Sequence, residues 1–322
     1  MIGFRFTLDD LAQTRFAISP MWELICGLRI LRDPGRAPQH LPWVTATLPI
    51  ARELDLEGAL ALTPVEGYIP DFITPPPTDP LAQFEEELER VRSTSPSQIR
   101  KDVEMTKGEG RGTPVLDRFL ADPRKEVDRM CDSLAVLWKR SLEPHWTRVR
   151  AVLQDDLRYR AARMTDGGPG TLFADLHPNV KWEGNVLDLV ACCADDFDVE
   201  LDGTGLLLVP SAMQAVRPNV IIEKPWQPTL IYPARGTALL WEPEPDAEPE
   251  SLSKLIGGTR SQLLVALGSP RSTTDLSKTL GVSAGGVSQH LSVLKESGLV
   301  CSEREGRSVL YMRTELADSL IA

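Results

Sequence analysis

The stretch that most limits what this chain can become is Glu242-Pro243-Glu244-Pro245-Asp246-Ala247-Glu248-Pro249-Glu250. Its three prolines fix φ and remove backbone donors, and its five carboxylates repel one another. A packed core has no place for such a segment, so it reads as an extended connector. At about 3.1 Å per residue it spans on the order of 28 Å. It divides the 322 residues into a front domain, 1–241, and a compact tail, 251–322. Two domains is also what roughly 150 residues per domain suggests.

The front domain reads as α+β. Ile2, Phe4 and Phe6 alternate with small or polar residues, as in a half-buried strand. Ser19-Pro20 supplies a cap and a first-turn proline, and Met21, Leu24, Ile25, Leu28 and Leu31 mark one helical face. After the break at Thr74-Pro75-Pro76-Pro77, the spacing predicts helices over 79–92, 96–106 and 124 to about 164. Asp166-Gly167-Gly168-Pro169-Gly170 should stop the last one. Short apolar or β-branched segments at 186–191, 197–201, 205–210, 219–223 and 229–233 predict a small, mostly antiparallel sheet. A turn at Asp202-Gly203-Thr204-Gly205 fits between two of them.

The tail is more explicit. Leu276 and Leu280 share a helical face, Gly281 supplies a left-handed stop, and Ser283 caps a second helix. That helix buries Val287, Leu291 and Leu294 at i, i+4 and i+7, and Gly298 ends it. Two short strands, 299–304 and 309–313, flank a tight turn at 305–308. Two helices joined by a three-residue turn, then a hairpin, make a winged helix-turn-helix. The outward face of the second helix carries Ala284, Gly285, Ser288, Gln289, Ser292 and Lys295. Ala284 and Gly285 permit close approach, Ser288 suits a base edge or phosphate, and Gln289 can pair bidentately with adenine. Arg304 and Arg307 at the hairpin suit phosphates or a minor groove, and His290 sits at the helix edge as a phosphate contact or a structural hydrogen bond.

Residues 283–300 and the Arg304-Glu305-Gly306-Arg307 wing resemble an ArsR/SmtB-type winged-helix transcriptional regulator. The resemblance implies a homodimer on an inverted-repeat operator, usually as a repressor. It matches Ser288 and Gln289 to the family's central base-reading pair, and Ala284 and Gly285 to its helix-start contacts, where the family often has larger polar residues. Residues 205–210 and 225–236 in turn resemble a large uncharacterised domain found ahead of such tails in some bacterial regulators, a likeness covering most of 1–241 that brings no ligand with it.

A net charge of −11 argues at first against a polyanionic partner. The charge is unevenly placed, however. Residues 251–322 hold eight Lys and Arg against six acids, a surplus of two, so the remainder carries −13. The tail is the end that suits double-stranded DNA. Composition, 42% hydrophobic and 25% charged, excludes collagen, coiled-coil rods and wholesale disorder. No run of 18 apolar residues suggests a membrane span, and Met1-Ile2-Gly3-Phe4-Arg5-Phe6 lacks the order of a secretory signal. Five scattered cysteines make a poor disulfide framework, and a cytoplasmic setting is expected.

The family's metal-sensing sites have no counterpart here. The helix at 273–280 has neither thiol nor imidazole, the last helix offers only Glu315 and Asp318, and Cys301 has no nearby partner. Adjacent Cys192 and Cys193 point to opposite sides of a strand, as small apolar residues or as a redox pair. There is no H-E-x-x-H or Gly-rich phosphate loop, so no enzyme, metal or cofactor is expected. Trp138, His145, Trp146, Trp226, Tyr232 and Arg235 would line an amphipathic effector pocket or serve as packing anchors. The reading is a dimeric DNA-binding regulator whose front domain senses a small molecule or dimerises. The rivals are a winged-helix protein-docking module and a metal- or redox-responsive regulator.

Overall fold

The computed structural model describes residues 1–108, 110, 112–190, 197–214, 217–241, 250–268, 270–305 and 308–321. Its contacts form two units, 1–241 and 242–322. The front unit runs β1 (Ile2–Arg5), α1 (Leu8–Gln13), β2 (Arg15–Phe16), α2 (Pro20–Arg32), α3 (Leu41–Arg52), α4 (Glu57–Leu62), α5 (Phe84–Arg92), α6 (Pro96–Gly108), α7 (Pro114–Ala121), α8 (Pro123–Ser141), α9 (Trp146–Phe173), β3 (Val180–Glu183), β4 (Val186–Leu189), β5 (Phe197–Glu200), β6 (Leu207–Ser211), β7 (Asn219–Ile221) and β8 (Thr229–Pro233). The second unit holds α10 (Glu250–Ile256), α11 (Gly258–Ala266), β9 (Arg271–Ser272), α12 (Thr273–Leu280), α13 (Ala284–Glu296), β10 (Val300–Glu305), β11 (Ser308–Arg313) and α14 (Glu315–Ile321).

The front unit is α+β, with its strands in two four-stranded sheets, β3-β4-β1-β5 and β2-β6-β8-β7. The single, mostly antiparallel sheet expected from sequence becomes two mixed ones: β1 pairs β5, β2 pairs β6 and β6 pairs β8 in parallel. The reason lies in β6. Leu207 and Val209 pack with Ile231 into the core beneath the helices, while Leu206 and Leu208 join Leu230 and Tyr232 against the other sheet. A sheet covered on both faces reads as an unbroken apolar run and accommodates parallel pairing. β3 was not foreseen because Lys181 and Glu183 leave it without an apolar run at the sheet edge.

Helix boundaries moved for identifiable reasons. The backbone ahead of α5 pairs instead with residue 18, Ile18 N–H donating to the Pro80 carbonyl at 2.9 Å, so that helix starts at Phe84. The helix expected over 124–164 is two helices, parted by a turn at Glu143–His145 where Pro144 cannot donate. α9 is in turn broken at Gly167 and Gly168, whose φ values are −149° and +67°, and restarts at Pro169. At the foreseen 202–205 turn, a Cβ on Gly205 (φ +68°) would lie 2.5 Å from the Gln13 carbonyl carbon, so glycine is required there.

Helix α2 is the centre of the helical layer. Ser19 caps it by accepting from Trp22 N–H, and residues 20–28 are all buried. Two buried carboxylates fasten it. Glu23 accepts the backbone N–H groups of Ala212 and Met213, both at 2.9 Å, beyond the end of β6. Glu87 of α5 accepts Met21 N–H at 2.8 Å. Burial raises the pKa of each from the usual 4.5 to about 7. α9 is held by a buried guanidinium: Arg160 lies 3.6 Å from Asp156 and bonds Asp175. Asp156 also accepts the Tyr232 hydroxyl at 2.8 Å and Arg235 N–H at 3.2 Å, which ties the helix to β8.

In the second unit, Ser272 and Asp275 form a capping box at the start of α12, and the Ser272 bonds hold the Asp275 carboxyl below its ordinary range. Leu263, Leu264, Leu276, Val287, Leu291 and Leu294 form the core.

Two stability experiments follow from the buried charges. Tryptophan fluorescence reports on the front unit alone, because Trp22, Trp43, Trp138, Trp146, Trp182, Trp226 and Trp241 all precede the connector. Arg160→Ala leaves Asp156 buried without its cation and should lower stability by about 3–5 kcal/mol in urea unfolding. The second is pH dependence. Glu23 and Glu87 at about 7, and Asp71 raised by burial to about 8, keep protons in the folded state that the unfolded chain releases. Their stabilisation is complete below the ordinary carboxylate range and lost as pH rises through 7 and 8. His40, lowered by burial to about 4, acts oppositely but only up to about pH 6.5. The fluorescence-detected Tm should therefore fall by roughly 5–10 °C between pH 6.5 and 8.5.

Candidate nucleic-acid interface

The local sequence of the second unit builds a surface with one polar and one apolar side. Gly281 takes the left-handed conformation at the end of α12, with φ 65°. Val282 then turns inward onto the core, and Ser283 Oγ accepts Gly286 N–H at 3.2 Å to start α13. The 13 residues of α13 extend about 20 Å, enough to follow a major groove. Val287, Leu291 and Leu294 are buried on one side. Ser283, Ala284, Gly285, Ser288, Gln289, Ser292 and Lys295 are exposed, and His290 is half-buried at the boundary.

Several of these groups have internal bonds that bear on their use. Ser292 Oγ donates to the Ser288 carbonyl at 3.1 Å, while Gln289 is exposed. Lys295 Nζ donates to Ser302 Oγ at 2.7 Å, tying the end of the helix to the first wing strand. A Cβ added at Gly285 would meet nothing within 4 Å, so this part of the helix surface is low and open. β10 and β11 pair antiparallel from Val300↔Arg313 to Glu305↔Ser308, and Tyr311↔Arg271 adds β9 as a third strand. Arg304 is opposite Val309 in this ladder; Arg307 lies outside the described residues. Arg313 is turned inward, ion-paired with Asp318 at 2.9 Å.

The six residues considered for an effector pocket fall into three places. Trp138 stacks on Phe84 (4.5 Å) and meets Trp146 edge-on (5.2 Å), and His145 sits edge-on to Trp241 (5.3 Å). Tyr232 and Arg235 converge on Asp156, with the Arg235 guanidinium 3.6 Å over the Tyr159 ring. Trp226 is half-buried against the helical core. A cavity of about 600 Å³ opens elsewhere in the front unit, between α2, the 64–71 segment and β7, and none of the six lines it. Sequence reasoning missed its residues. The available signal was Asp71, an acid inside the apolar run Ile69-Pro70-Asp71-Phe72-Ile73. Cys192 and Cys193 lie outside the described residues. Among the described residues no group of three or more His, Cys, Asp or Glu could hold a metal ion, and no helix is long and apolar enough to cross a membrane.

No curated protein and no solved structure matches the chain. Residues 257–302 match the family model described as bacterial regulatory protein, arsR family, a span that runs from the start of α11 into β10. The chain thus carries a C-terminal ArsR-type winged helix-turn-helix, and with it a DNA-binding regulatory function.

Proposed function

We propose that the protein is a homodimeric, sequence-specific transcriptional repressor that binds an inverted-repeat operator and whose front domain, 1–241, senses a small molecule. The observation that carries this reading is the exposed polar face of α13 opposite its buried Val287, Leu291 and Leu294. Ser288 and Gln289 read base edges; Ser283, Ala284 and Gly285 let the helix start close to the groove floor. His290, Ser292, Lys295, Arg304 and Arg307 serve phosphates or the flanking minor groove. Two copies place their recognition helices about 34–36 Å apart, on half-sites one helical turn distant.

Exposed apolar side chains support the pairing of two copies. Leu255 of α10, Val265 of α11, and Leu316 and Leu320 one turn apart on α14 all face solvent in the single chain.

Full-length protein should select a duplex from a random double-stranded pool and bind it with an affinity that falls steeply between 50 and 200 mM salt. Replacing Ser288 and Gln289 together with Ala should reduce the preference for the selected duplex over a scrambled one by about tenfold or more, since a bidentate base contact contributes about 1–3 kcal/mol. An unchanged preference in a competition assay would refute the base-reading assignment. Leu316→Glu in the full chain should weaken the dimer without abolishing it, as read by sedimentation velocity.

A further inference from the structure

The 600 Å³ cavity has the size of a small-molecule site and a wall of mixed character. Trp22, Ile30, Met213 and Val220 supply apolar surface. Two of its three arginines are engaged with the rim, and the third, Arg217, is exposed. Arg29 donates to the carbonyls of Pro64 (2.6 Å) and Gly67 (3.0 Å) and to Asn219 Oδ1 (3.2 Å), joining the 64–71 segment to β7 across α2. Arg36 pairs with Glu66 and donates to the Val65 carbonyl.

Asp71 behaves differently. Its residue is 2% exposed, it lines the cavity, and its Oδ2 has no hydrogen-bond partner. A buried polar atom in that condition costs stability unless something else meets it. The nearby groups are predominantly acidic. Asp102 accepts Phe72 N–H (3.0 Å) and Gln98 Nε2 (2.7 Å), and Glu223 is paired with Lys101 (3.0 Å). The Tyr68 hydroxyl accepts Asp71 N–H at 3.3 Å. Burial, then Asp102 and Glu223, raise the Asp71 carboxyl to about 8, with Lys101 opposing them. Trp22 Nε1, a buried donor without a partner, lines the same cavity.

We propose that this cavity binds a small amphipathic organic cation, an apolar body bearing a protonated amine, with the Asp71 carboxylate as its counter-ion and Trp22 Nε1 available to an acceptor atom on the same molecule. The assignment rests on the sensing role given above to the front domain and supplies its ligand class. The amine restores to Asp71 the charge partner that Asp102 and Glu223 deny it, and the apolar body covers Ile30 and Val220.

The test uses full-length protein and three compounds with one body: 3-phenylpropylamine, 3-phenylpropanol and 3-phenylpropanoate. In calorimetric titration at pH 7.5 the amine should bind one per chain, at least tenfold more tightly than either control. Asp71→Asn should weaken the amine at least tenfold and leave the alcohol unchanged. Val220→Phe, which narrows the cavity without touching its charge, should weaken both. Amine affinity should rise about tenfold from pH 6 to pH 7 as Asp71 gives up its proton, and level off above about pH 8. Equal binding of the three compounds, preference for the carboxylate, or an Asp71→Asn variant that keeps its amine affinity would overturn the proposal. Amine binding that leaves affinity for the selected duplex unchanged would uphold the cavity assignment and overturn the sensing role. Duplex binding by a protein that takes up no amine would overturn the cavity assignment alone.

Discussion

The buried Arg160 guanidinium sets the terms for the front unit. A charge of that size taken from water must be met by opposite charge and hydrogen bonds, and here Asp156 and Asp175 meet it. Asp156 is itself buried and completes its bonding with Tyr232 and the backbone of Arg235, so α9 cannot shift along β8 without exposing several polar groups at once. Apolar burial would tolerate such a slide. Burial, reinforced by the Asp156 carboxylate, also holds the Tyr232 phenol protonated. Glu23 does the same for α2, since its two acceptor oxygens fit the N–H groups of Ala212 and Met213 in one register only. Polar contacts between layers thus specify an arrangement that the apolar core stabilises without specifying.

This division explains which parts of the molecule could be read from sequence. The helix-turn-helix is written in short-range signals: a left-handed Gly281, a capping Ser283, and apolar residues at i, i+4 and i+7. Each acts within one or two turns. The N-terminal strand and the Ser19-Pro20 helix start were legible for the same reason. The front-unit topology was not, because β1 pairs with β5 across almost the whole unit and β6 hides its alternation by being covered on both faces. Pro144, inside the span expected as one helix, has no backbone N–H to give and parts α8 from α9.

The cavity was illegible for a related reason. Its wall draws on β1, α2, the 64–71 segment, α6, the end of β4 and β7, and no two of these are adjacent in sequence. Aromatic content pointed instead to Trp138, His145 and Trp146, whose rings pack on Phe84, Trp241 and Trp138 respectively. What marks the cavity is an unmet polar atom rather than an aromatic residue, and such an atom can be recognised only once burial and hydrogen bonding are known.

Charge placement carries the functional argument furthest. A surplus of two positive charges over residues 251–322 is small for a surface meant to neutralise phosphates. Of the eight cations, moreover, Arg313 faces Asp318 and Arg260 donates to the Ile256 carbonyl within the unit's own fold, which leaves fewer to meet phosphates. One copy of such a domain has little sequence-independent hold on DNA. On the dimeric reading proposed above, affinity comes from what a weak electrostatic term leaves over: base contacts along α13 and a second copy, which would double the contacts. A regulator of the kind proposed would depend on its dimer more than a strongly basic one would, so any event that disturbs the pairing of two copies would be amplified in DNA occupancy.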